Sequence, residues 1–341
     1  MIEIDGAVGE GGGQMLRTAL SLSLMTGKPF TMVNIRAKRP EPGLRPQHRQ
    51  CVLAAAQVSD AVVTGAEIGA QQLVFQPRAL RWGNYHFDIG TAGSTALLLH
   101  ALYLPLALAS GDSELVLTGG THVPFAPCYH YLEGQWAPWL ARLGLHLRLK
   151  LDRAGYYPQG GGRIRAHIAR VPEVNPVIAD ERGELRRCEV ISGVTNLPFS
   201  IAERQAARAA RQLGRLGLEP HLDVREIAGR GKGTFVVVVV RYEHGSACYS
   251  ALGAPGKPAE KVADEACAAF AAFHRSEATV DEHLGDQLLL PLAVARGASR
   301  FRVPFVTEHM RTNAAVLSSF LPVRIEFTES ERGGTVSVRP G

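Results

Sequence analysis

The chain has 341 residues, of which 46% are hydrophobic and 20% charged, a composition typical of packed domains rather than of a disordered polypeptide. Its length favours about two domains. The formal net charge of +5 is a modest excess, which only slightly favours a nucleotide or nucleic-acid substrate.

The targeting and cysteine patterns exclude several classes of protein. The most apolar run, residues 96–110, is too short to span a membrane, and the first residues, MIEIDGAVGE, lack the basic and apolar regions of a secretory signal. The five cysteines are scattered and never spaced as CxxC, which argues against a disulfide framework or a structural zinc site. We therefore expect a cytoplasmic protein that does not contact membranes.

The predicted elements repeat along the chain. The first unit begins with the strand IEID and a glycine loop that enters a helix. It continues as a strand (29–36), a basic loop (37–45), a helix (46–59) and two strands (61–64 and 72–76). The second unit has the same order, with strands at 85–89, 113–120, 145–151 and 162–169 and helices at 95–109 and 129–143. Both units have the order β-α-β-α-β-β.

A third unit of this order is interrupted. Its first strand is expected near residues 172–178, and its remainder follows the loop 281–285 as helix 286–295, strand 299–306, loop 307–311, helix 312–320 and strands 323–330 and 334–340. The interruption contains an Ala/Arg-rich helix, a β-branched strand and an Ala-rich helix at 200–216, 234–240 and 258–273. We predict an α/β (α+β) fold with a large domain, residues 1–181 and 278–341, and a smaller strand–helix–strand–helix domain, residues 182–277, inserted in the third repeat.

The first candidate site is the glycine-rich turn Gly9–Gln14. Such a turn exposes backbone N–H groups at the positive end of a helix, where phosphate or carboxylate binds. The spacing matches neither a P-loop nor a dinucleotide fingerprint, and a plain strand-to-helix turn stays open as an alternative. Glu10 would repel phosphate unless a divalent cation lies between them, although a carboxylate also complements a helix N-terminus.

The second candidate is the basic segment IRAKRPEPGLRPQH, residues 35–48, at a strand end and a helix start. Arginine presents a planar fork that matches phosphate, so the segment suits an anionic substrate. A solvated basic loop is the alternative, although prolines and a glycine restrict the shape of the segment. Its polar members are Arg36, Lys38, Arg39, Arg45, Gln47 and His48.

The third candidate is TEHMRTN, residues 307–313. His309 is predicted between a strand and a helix, in the slot that Arg36 and Thr121 occupy in the other units. A lone histidine is usually structural or merely exposed, but imidazole can attack phosphorus and form a covalent phosphoramidate. The remaining motifs, at residues 119–121, 157–162 and 286–287, are interpreted as turns.

Together these segments resemble the RNA 3′-terminal phosphate cyclase family over essentially the whole chain. The resemblance rests on seven segments in order: GAVGEGGGQ with Arg17, IRAKRPEPGLRPQH, IGTAGS, GGTHVPFAP, GYYPQGGG, EHLGDQLLLPLA and TEHMRTN. It implies three β-α-β-α-β-β units with a smaller α/β domain inserted in the third, in agreement with the repeats. The implied activity is ATP-dependent conversion of an RNA 3′-phosphate to a 2′,3′-cyclic phosphate through a covalent histidine–AMP intermediate, with release of AMP and pyrophosphate.

The resemblance also implies a role for each matching residue. His309 corresponds to the nucleophile, and Glu10 to the carboxylate beside a divalent metal, Mg²⁺ or Mn²⁺. The residues implied to contact ATP phosphates or the RNA end are Arg17, Arg36, Arg39, Gln47 and His48. Those implied to bind ATP are His100, Pro127, Tyr131, His283, Leu284, Gly285, Asp286 and Gln287. His100 and His283 stand where relatives commonly have Gln and Tyr, and either departure could weaken ATP binding or relax nucleotide choice.

Two other classes stay open. A noncatalytic ribosome-biogenesis relative keeps the fold without nucleotidyl transfer, but the intact His309 argues against it. An enolpyruvyl transferase has repeats of similar topology, but the TEHMRTN segment has no role there. The implied partners are ATP and RNA with a 3′-terminal phosphate, and a homodimer is a further expectation.

The insertion carries none of the predicted nucleotide-site residues, so we expect it to be dispensable for forming enzyme-bound AMP. Its basic helix is either an RNA contact or a solvated face, and its cationic residues are Arg204, Arg208, Arg211 and Arg215.

Overall fold

The computed structural model describes residues 1–341 and contains four sheets of four strands each. The first sheet has the order β1-β2-β4-β3, in which β1 and β2 are parallel and the other pairs antiparallel. Helices α1 and α2 follow β1 and β2. The bounds are β1 (Ile2–Asp5), α1 (Gly13–Thr26), β2 (Phe30–Val33), α2 (Pro46–Ser59), β3 (Val62–Thr64) and β4 (Leu73–Gln76).

The second unit repeats this topology, with sheet order β5-β6-β8-β7 and the parallel pair again first. Its second helix contains a π-helical segment, Leu132–Trp136, between two short α-helical pieces. The bounds are β5 (Asn84–Asp88), α3 (Thr95–Ala107), β6 (Ser113–Gly119), α4 (Tyr129–Tyr131), α5 (Ala137–Arg142), β7 (Leu147–Arg153) and β8 (Gly162–Ile168).

After a two-residue strand, β9 (Ile178–Ala179), the chain enters the insertion. This part has four strands rather than the two predicted, in the sheet order β11-β10-β12-β13, so the predicted strand–helix–strand–helix order is wrong. The missed strands include polar residues, which weakened their hydrophobic alternation. The bounds are β10 (Leu185–Thr195), α6 (Phe199–Gly214), β11 (His221–Glu226), β12 (Gly233–Tyr242), β13 (Ser246–Leu252) and α7 (Ala259–Arg275).

The third unit then resumes and forms the sheet β9-β14-β16-β15, which repeats the order of the first two and confirms the predicted fold class. Both of its helices begin four residues earlier than predicted, because Asp281 and Thr307 act as N-caps whose side chains accept the N–H groups of Leu284 and Met310. The bounds are α8 (Glu282–Leu292), β14 (Ser299–Val303), α9 (Glu308–Phe320), β15 (Val323–Ser330) and β16 (Gly333–Pro340).

Strand β12 connects two hydrophobic cores. One core of 19 buried residues lies between the insertion's sheet and helices α6 and α7, and a core of 68 buried residues joins the three repeats. Alternate β12 residues enter each core because side chains alternate across a strand: Val236, Val238 and Val240 enter the smaller, and Phe235, Val237 and Val239 the larger. The insertion is therefore packed on the repeats, while the predicted domain bounds at 182 and 277 stay a prediction.

The basic face of α6 is partly neutralised by α7. Arg204 pairs with Glu260 at 2.8 Å, and Arg208 pairs with Asp264 at 2.7 Å. These ion pairs leave only Arg211 and Arg215 of the predicted basic set without a carboxylate partner, which weakens the case for this helix as an RNA contact. No helix in the structure combines the length and apolarity that a membrane-spanning segment needs.

Candidate active site

A cleft of about 670 Å³ lies where the three repeats and the insertion meet. Helices α1, α3, α8 and α9 contribute to its wall, as does the segment that precedes α4. Many residues predicted from the sequence line this cleft: Arg17, His100, Pro127, Tyr131, His283, Asp286, Gln287 and His309.

His309 lies in the first turn of α9 rather than in the predicted loop. Its Nδ1 is 2.7 Å from Oε1 of Gln14, and its Nε2 is 3.1 Å from Oε2 of Glu10. The same Glu10 oxygen accepts from Nη2 of Arg39 at 3.1 Å. The glycine turn and α1 therefore bring the predicted nucleophile, carboxylate and arginine together across 300 residues of chain.

Gln14 fixes the orientation of the His309 ring. The Gln14 amide nitrogen donates to Oδ2 of Asp286, so its oxygen faces Nδ1 of His309 and requires a proton there. The other ring nitrogen, Nε2, faces Oε2 of Glu10, so both nitrogens lie against acceptors in this placement of the ring. When Nε2 gives up its proton to become the nucleophile, Gln14 keeps the remaining proton on Nδ1 and the lone pair is on Nε2. From the sequence, Gln14 is only the last residue of the predicted glycine turn; its position one helical turn before Arg17 on the same helix is the signal for a further role.

Asp286 is in turn held by α9. Asn313 donates to its Oδ1 at 3.2 Å, and the Thr18 hydroxyl donates to the Asn313 amide oxygen at 2.8 Å. Burial raises the pKa of the Asp286 carboxyl, and hydrogen bonds from Gln14 and Asn313 oppose this shift. A connected path of side chains thus runs from the core between α1 and α9 to the imidazole.

Arg17 is the free cation of the cleft. Its guanidinium lines the cavity wall beside Gln14 and has no hydrogen bond or ion pair. Burial lowers its pKa from the ordinary arginine range, with Glu10 and Asp286 opposing the shift. Since arginine stays protonated even so, Arg17 offers an uncommitted charge to an anion.

Other members of the basic segment hold the loop itself. Arg36, at φ 54°, donates to the carbonyls of Glu41 at 2.6 Å and Gly43 at 3.1 Å. His48 is buried, its Nδ1 accepts the N–H of Arg45 at 3.2 Å, and burial lowers its pKa to about 3. Arg36 and His48 therefore support the shape of the loop, and their contact with ATP phosphates or the RNA end stays a prediction.

Gln47 links the first repeat to the second. Its Oε1 accepts the backbone N–H of Ser94 at 3.4 Å. A Cβ on Gly93 would lie 2.9 Å from Cβ of Gln47, so the glycine permits this close approach. Gln47 thus lies between the basic segment and the loop that follows β5.

The inner end of the cleft contains polar atoms without partners. His100 packs against Trp136 with ring centroids 4.6 Å apart and the ring planes tilted by 39°, and burial lowers the pKa of His100 to about 3. The buried atoms without a hydrogen bond here are His100 Nε2, Tyr103 OH, Trp136 Nε1 and Gln287 Oε1. Each unpaired buried polar group costs about 1–3 kcal/mol, so their concentration in one cavity indicates a ligand with complementary donors and acceptors.

Tyr103 and Trp136 were missed in the sequence, although His100 and Tyr103 are spaced one helical turn apart. Of the other predicted ATP residues, Tyr131 commits its hydroxyl to Asp281 at 3.1 Å. His283 is largely exposed at the cleft wall. Leu284 and Gly285 do not line the cleft but face the core, where a Cβ on Gly285 would lie 2.5 Å from Val303.

The insertion contributes residues to the cleft, although whether it is dispensable for forming enzyme-bound AMP stays a prediction. Cys248, Tyr249, Ser250 and Ala269 line the cavity. The buried Asp281 carboxylate accepts the N–H of Cys248 at 3.3 Å and the Gln135 amide at 2.8 Å. Removing the insertion would remove one wall of the cleft and also the Cys248 N–H that donates to the buried Asp281 carboxylate.

Glu10 supplies a carboxylate of the kind that a hydrated divalent cation binds. Its Oε2 lies 3.1 Å from Nη2 of Arg39 and 3.1 Å from Nε2 of His309, while Oε1 accepts no hydrogen bond. No group of three or more His, Cys, Asp or Glu side chains forms a cage for a metal in the structure. Mg²⁺ is commonly held by one or two carboxylates together with substrate phosphates, so Glu10 fits a metal that arrives with a polyphosphate.

The family model and the similar curated proteins agree on one family. The family model for RNA 3′-terminal phosphate cyclase matches residues 8–327. An RNA 3′-terminal phosphate cyclase of Gloeothece citriformis is 41% identical over 100% of this chain and 99% of its own, and one of Koribacter versatilis is 44% identical over 99% and 95%.

Among solved structures, the enolpyruvyl transferase NikO of Streptomyces tendae has 11% identity and a TM-score of 0.42, covering 98% of this chain and 47% of its own. That level of similarity supports no functional inference. The full-length matches at 41% and 44% identity, together with the family model, are decisive. The chain belongs to the RNA 3′-terminal phosphate cyclase family.

Proposed function

We propose that this chain converts the 3′-phosphate of RNA to a 2′,3′-cyclic phosphate at the expense of ATP, with His309 as the covalent nucleophile. The observation that carries the proposal is the position of His309 at the cleft wall: Gln14 holds Nδ1, so the lone pair of a neutral ring is on Nε2, which faces Glu10. Attack requires that Nε2 be released from Glu10, which a cation bound to that carboxylate would do. The unpaired Arg17 lies in the same wall, where it would bind phosphate.

The first step forms a phosphorus–nitrogen bond. Nε2 of His309 attacks the α-phosphorus of ATP, the bond to the bridging oxygen breaks, and pyrophosphate leaves. Arg17 and Arg39 are the cations available to neutralise the developing negative charge. A divalent metal bound by Glu10 and the phosphates would supply further charge neutralisation.

The second and third steps return the enzyme to its starting state. An oxygen of the RNA 3′-phosphate attacks the phosphorus of the histidine-bound AMP, and the bond to Nε2 breaks. The vicinal 2′-hydroxyl oxygen then attacks the 3′-phosphorus, its proton is released, and AMP leaves. Adenylylation gives the terminal phosphate a good leaving group, and ring closure is intramolecular, with a high effective molarity.

We assign the inner end of the cleft to the nucleobase of ATP. The unpaired atoms of His100, Tyr103, Trp136 and Gln287 would meet the donors and acceptors of the base edge. Because burial keeps His100 neutral, its Nε2 can donate or accept according to tautomer, whereas a glutamine amide presents both groups at once. Cytoplasmic location and a homodimer stay predictions.

The test is incubation of the purified chain with ATP, Mg²⁺ and an RNA carrying a 3′-phosphate. The proposal predicts an RNA end that becomes resistant to phosphatase, with stoichiometric AMP and pyrophosphate. A matched RNA with a 2′-deoxy terminal nucleotide should consume ATP but accumulate the adenylylated end, because it lacks the cyclising hydroxyl. Phosphatase-sensitive RNA and no AMP in the first reaction would contradict the proposal and favour a noncatalytic relative.

A further inference from the structure

A group of free cations lies beside the glycine motif that follows β7. It comprises Arg153, Arg163, Arg230 and Lys232, which we call the basic rim. None of the four has a carboxylate within 4 Å, whereas Arg165 on the same sheet pairs with Asp152 at 2.7 Å. Asp88 and Glu226, which end neighbouring strands, also form no ion pair with the rim.

Backbone contacts hold the basic rim together. Arg153 and Arg163 are direct partners across the antiparallel pair β7–β8. Arg153 donates from Nε to the carbonyl of Gly161 at 2.6 Å, and a Cβ on Gly161 would lie 3.3 Å from Cδ of Arg230. Three like charges thus lie around one loop, with the exposed Lys232 two residues beyond Arg230, an arrangement that a polyanion would stabilise.

Nε of Arg163 is buried without a hydrogen-bond partner. A charged donor in this state costs free energy unless a ligand or water reaches it. The arrangement is typical of a cation prepared for a ligand, because a guanidinium in a purely structural role normally has its donors satisfied.

Loop contacts connect the rim to the basic segment that flanks the cleft. A Cβ on Gly160 would lie 2.7 Å from the carbonyl oxygen of Thr91, so the rim loop touches the loop after β5. That second loop continues to Gly93, which is in close contact with Gln47. A chain of contacts therefore leads from the rim to the basic segment beside the cleft.

Exposed aromatic side chains accompany this path. Tyr157, on the rim loop, is 72% exposed. Phe125 is fully exposed at φ 61°, a left-handed conformation that a bulky residue rarely adopts, and it also lines the cleft. Free cations interleaved with exposed rings are the pattern by which proteins bind single-stranded nucleic acid: the cations contact phosphates and the rings stack on bases.

We propose that the basic rim and Tyr157 bind the single-stranded RNA that leads to the terminal phosphate. This inference rests on the proposed function. The rim contacts sugar-phosphate backbone upstream of the reacting end, and Tyr157 stacks on a base without sequence preference. A single strand is favoured over a duplex because paired bases are not available for stacking.

The test compares two single-stranded substrates with 3′-phosphates, a dinucleotide and a decanucleotide. The double change Arg230→Glu with Lys232→Glu should reduce the decanucleotide-to-dinucleotide ratio of kcat/KM about tenfold or more, and should lower the salt slope for the decanucleotide by about 0.7 for each phosphate that is no longer neutralised. Tyr157→Ala should reduce the same ratio about tenfold. The control is Arg275→Glu, an exposed arginine at the end of α7 without an ion-pair partner, which should leave the ratio unchanged.

Equal reductions in kcat/KM with both RNAs, no reduction, or an equal reduction in the Arg275 control would overturn the proposal. Fluorescence anisotropy with a labelled decanucleotide separates it from the proposed function. If the wild-type chain neither labels with AMP nor cyclises, the proposed function fails, yet weaker decanucleotide binding in the rim variants still supports the rim. Tighter binding of duplex than of single-stranded RNA would overturn it.

Discussion

Replacing Asp286 by asparagine should reverse the hydrogen-bond direction along the path to His309. Asn313 donates to Oδ1 of Asp286, so that oxygen must remain an acceptor and the new amide nitrogen must face Gln14. Gln14 then turns its oxygen toward position 286 and its nitrogen toward Nδ1 of His309. The imidazole must accept at Nδ1, which places its proton on Nε2, the atom that attacks phosphorus.

The size of the effect follows from two mismatched hydrogen bonds. For Nε2 to carry the lone pair in the variant, two hydrogen bonds must be lost. One joins Gln14 to His309, and the other joins residue 286 to Gln14. Both pairs are neutral in the variant, and each leaves a donor or acceptor unpaired at about 1–3 kcal/mol, so the total cost is about 2–6 kcal/mol. This corresponds to about 30- to 10⁴-fold in the rate of AMP transfer.

The assay is single-turnover labelling with α-radiolabelled ATP over a range of ATP concentrations, together with nitrogen NMR of the His309 ring. We expect Asp286→Asn to lower the maximal labelling rate and to move the proton to Nε2. Gln14→Met is the matched comparison, because it removes both hydrogen bonds without imposing the wrong tautomer and should cost less. The proposed reversal of hydrogen-bond direction is refuted if Asp286→Asn changes only the KM for ATP, or if the Asp286→Asn chain labels no more slowly than the Gln14→Met chain.

Three further predictions follow from the cleft and its surroundings. Arg36→Ala should lower the melting temperature because it removes two hydrogen bonds to loop carbonyls. Arg17→Ala should instead slow AMP labelling about 10- to 100-fold and leave the melting temperature unchanged. Calorimetry and labelling check both variants, and the reverse pattern would refute both assignments. His100 has a folded-state pKa of about 3 and an unfolded value near ~6.5, so the unfolded state binds more protons and stability falls as pH drops through this window. Urea unfolding of His100→Gln should therefore lose about 2 kcal/mol less than wild type between pH 7 and pH 5, and equal losses would contradict the neutral, buried His100. Replacing residues 182–277 by a short linker should abolish labelling or folding, because the insertion forms part of the cleft wall; normal labelling by a folded chain would restore the expectation that it is dispensable.

The repeats could be predicted because local patterns specify them. Glycine loops, apolar helices and paired strands recur in the same order, and the three repeat sheets share one topology. The helix starts at Glu282 and Glu308 were placed too late because the capping role of Asp281 and Thr307 was overlooked. Two strands of the insertion were missed because their residues alternate weakly in hydrophobicity.

The site could be predicted only as a set of motifs. His309, Glu10 and Arg39 lie far apart in sequence, and their mutual approach depends on the packing of α1 against α9. The role of Gln14 depends on which way its amide points, which Asp286 decides across 272 positions of chain. The structural tasks of Arg36 and His48 could not be separated from phosphate binding by residue type, because both chemistries use the same side chains.

The proposed role of His309 is tested most directly by covalent labelling of His309→Asn with α-radiolabelled ATP and Mg²⁺ or Mn²⁺, resolved on a denaturing gel. The substitution keeps a polar side chain and removes the nucleophile, so we expect no AMP adduct and no cyclisation. The wild-type adduct should be cleaved by acid and largely spared by alkali and hydroxylamine, as expected for a phosphorus–nitrogen bond. An AMP adduct on the His309→Asn chain, or a wild-type adduct that maps to a lysine, would contradict it.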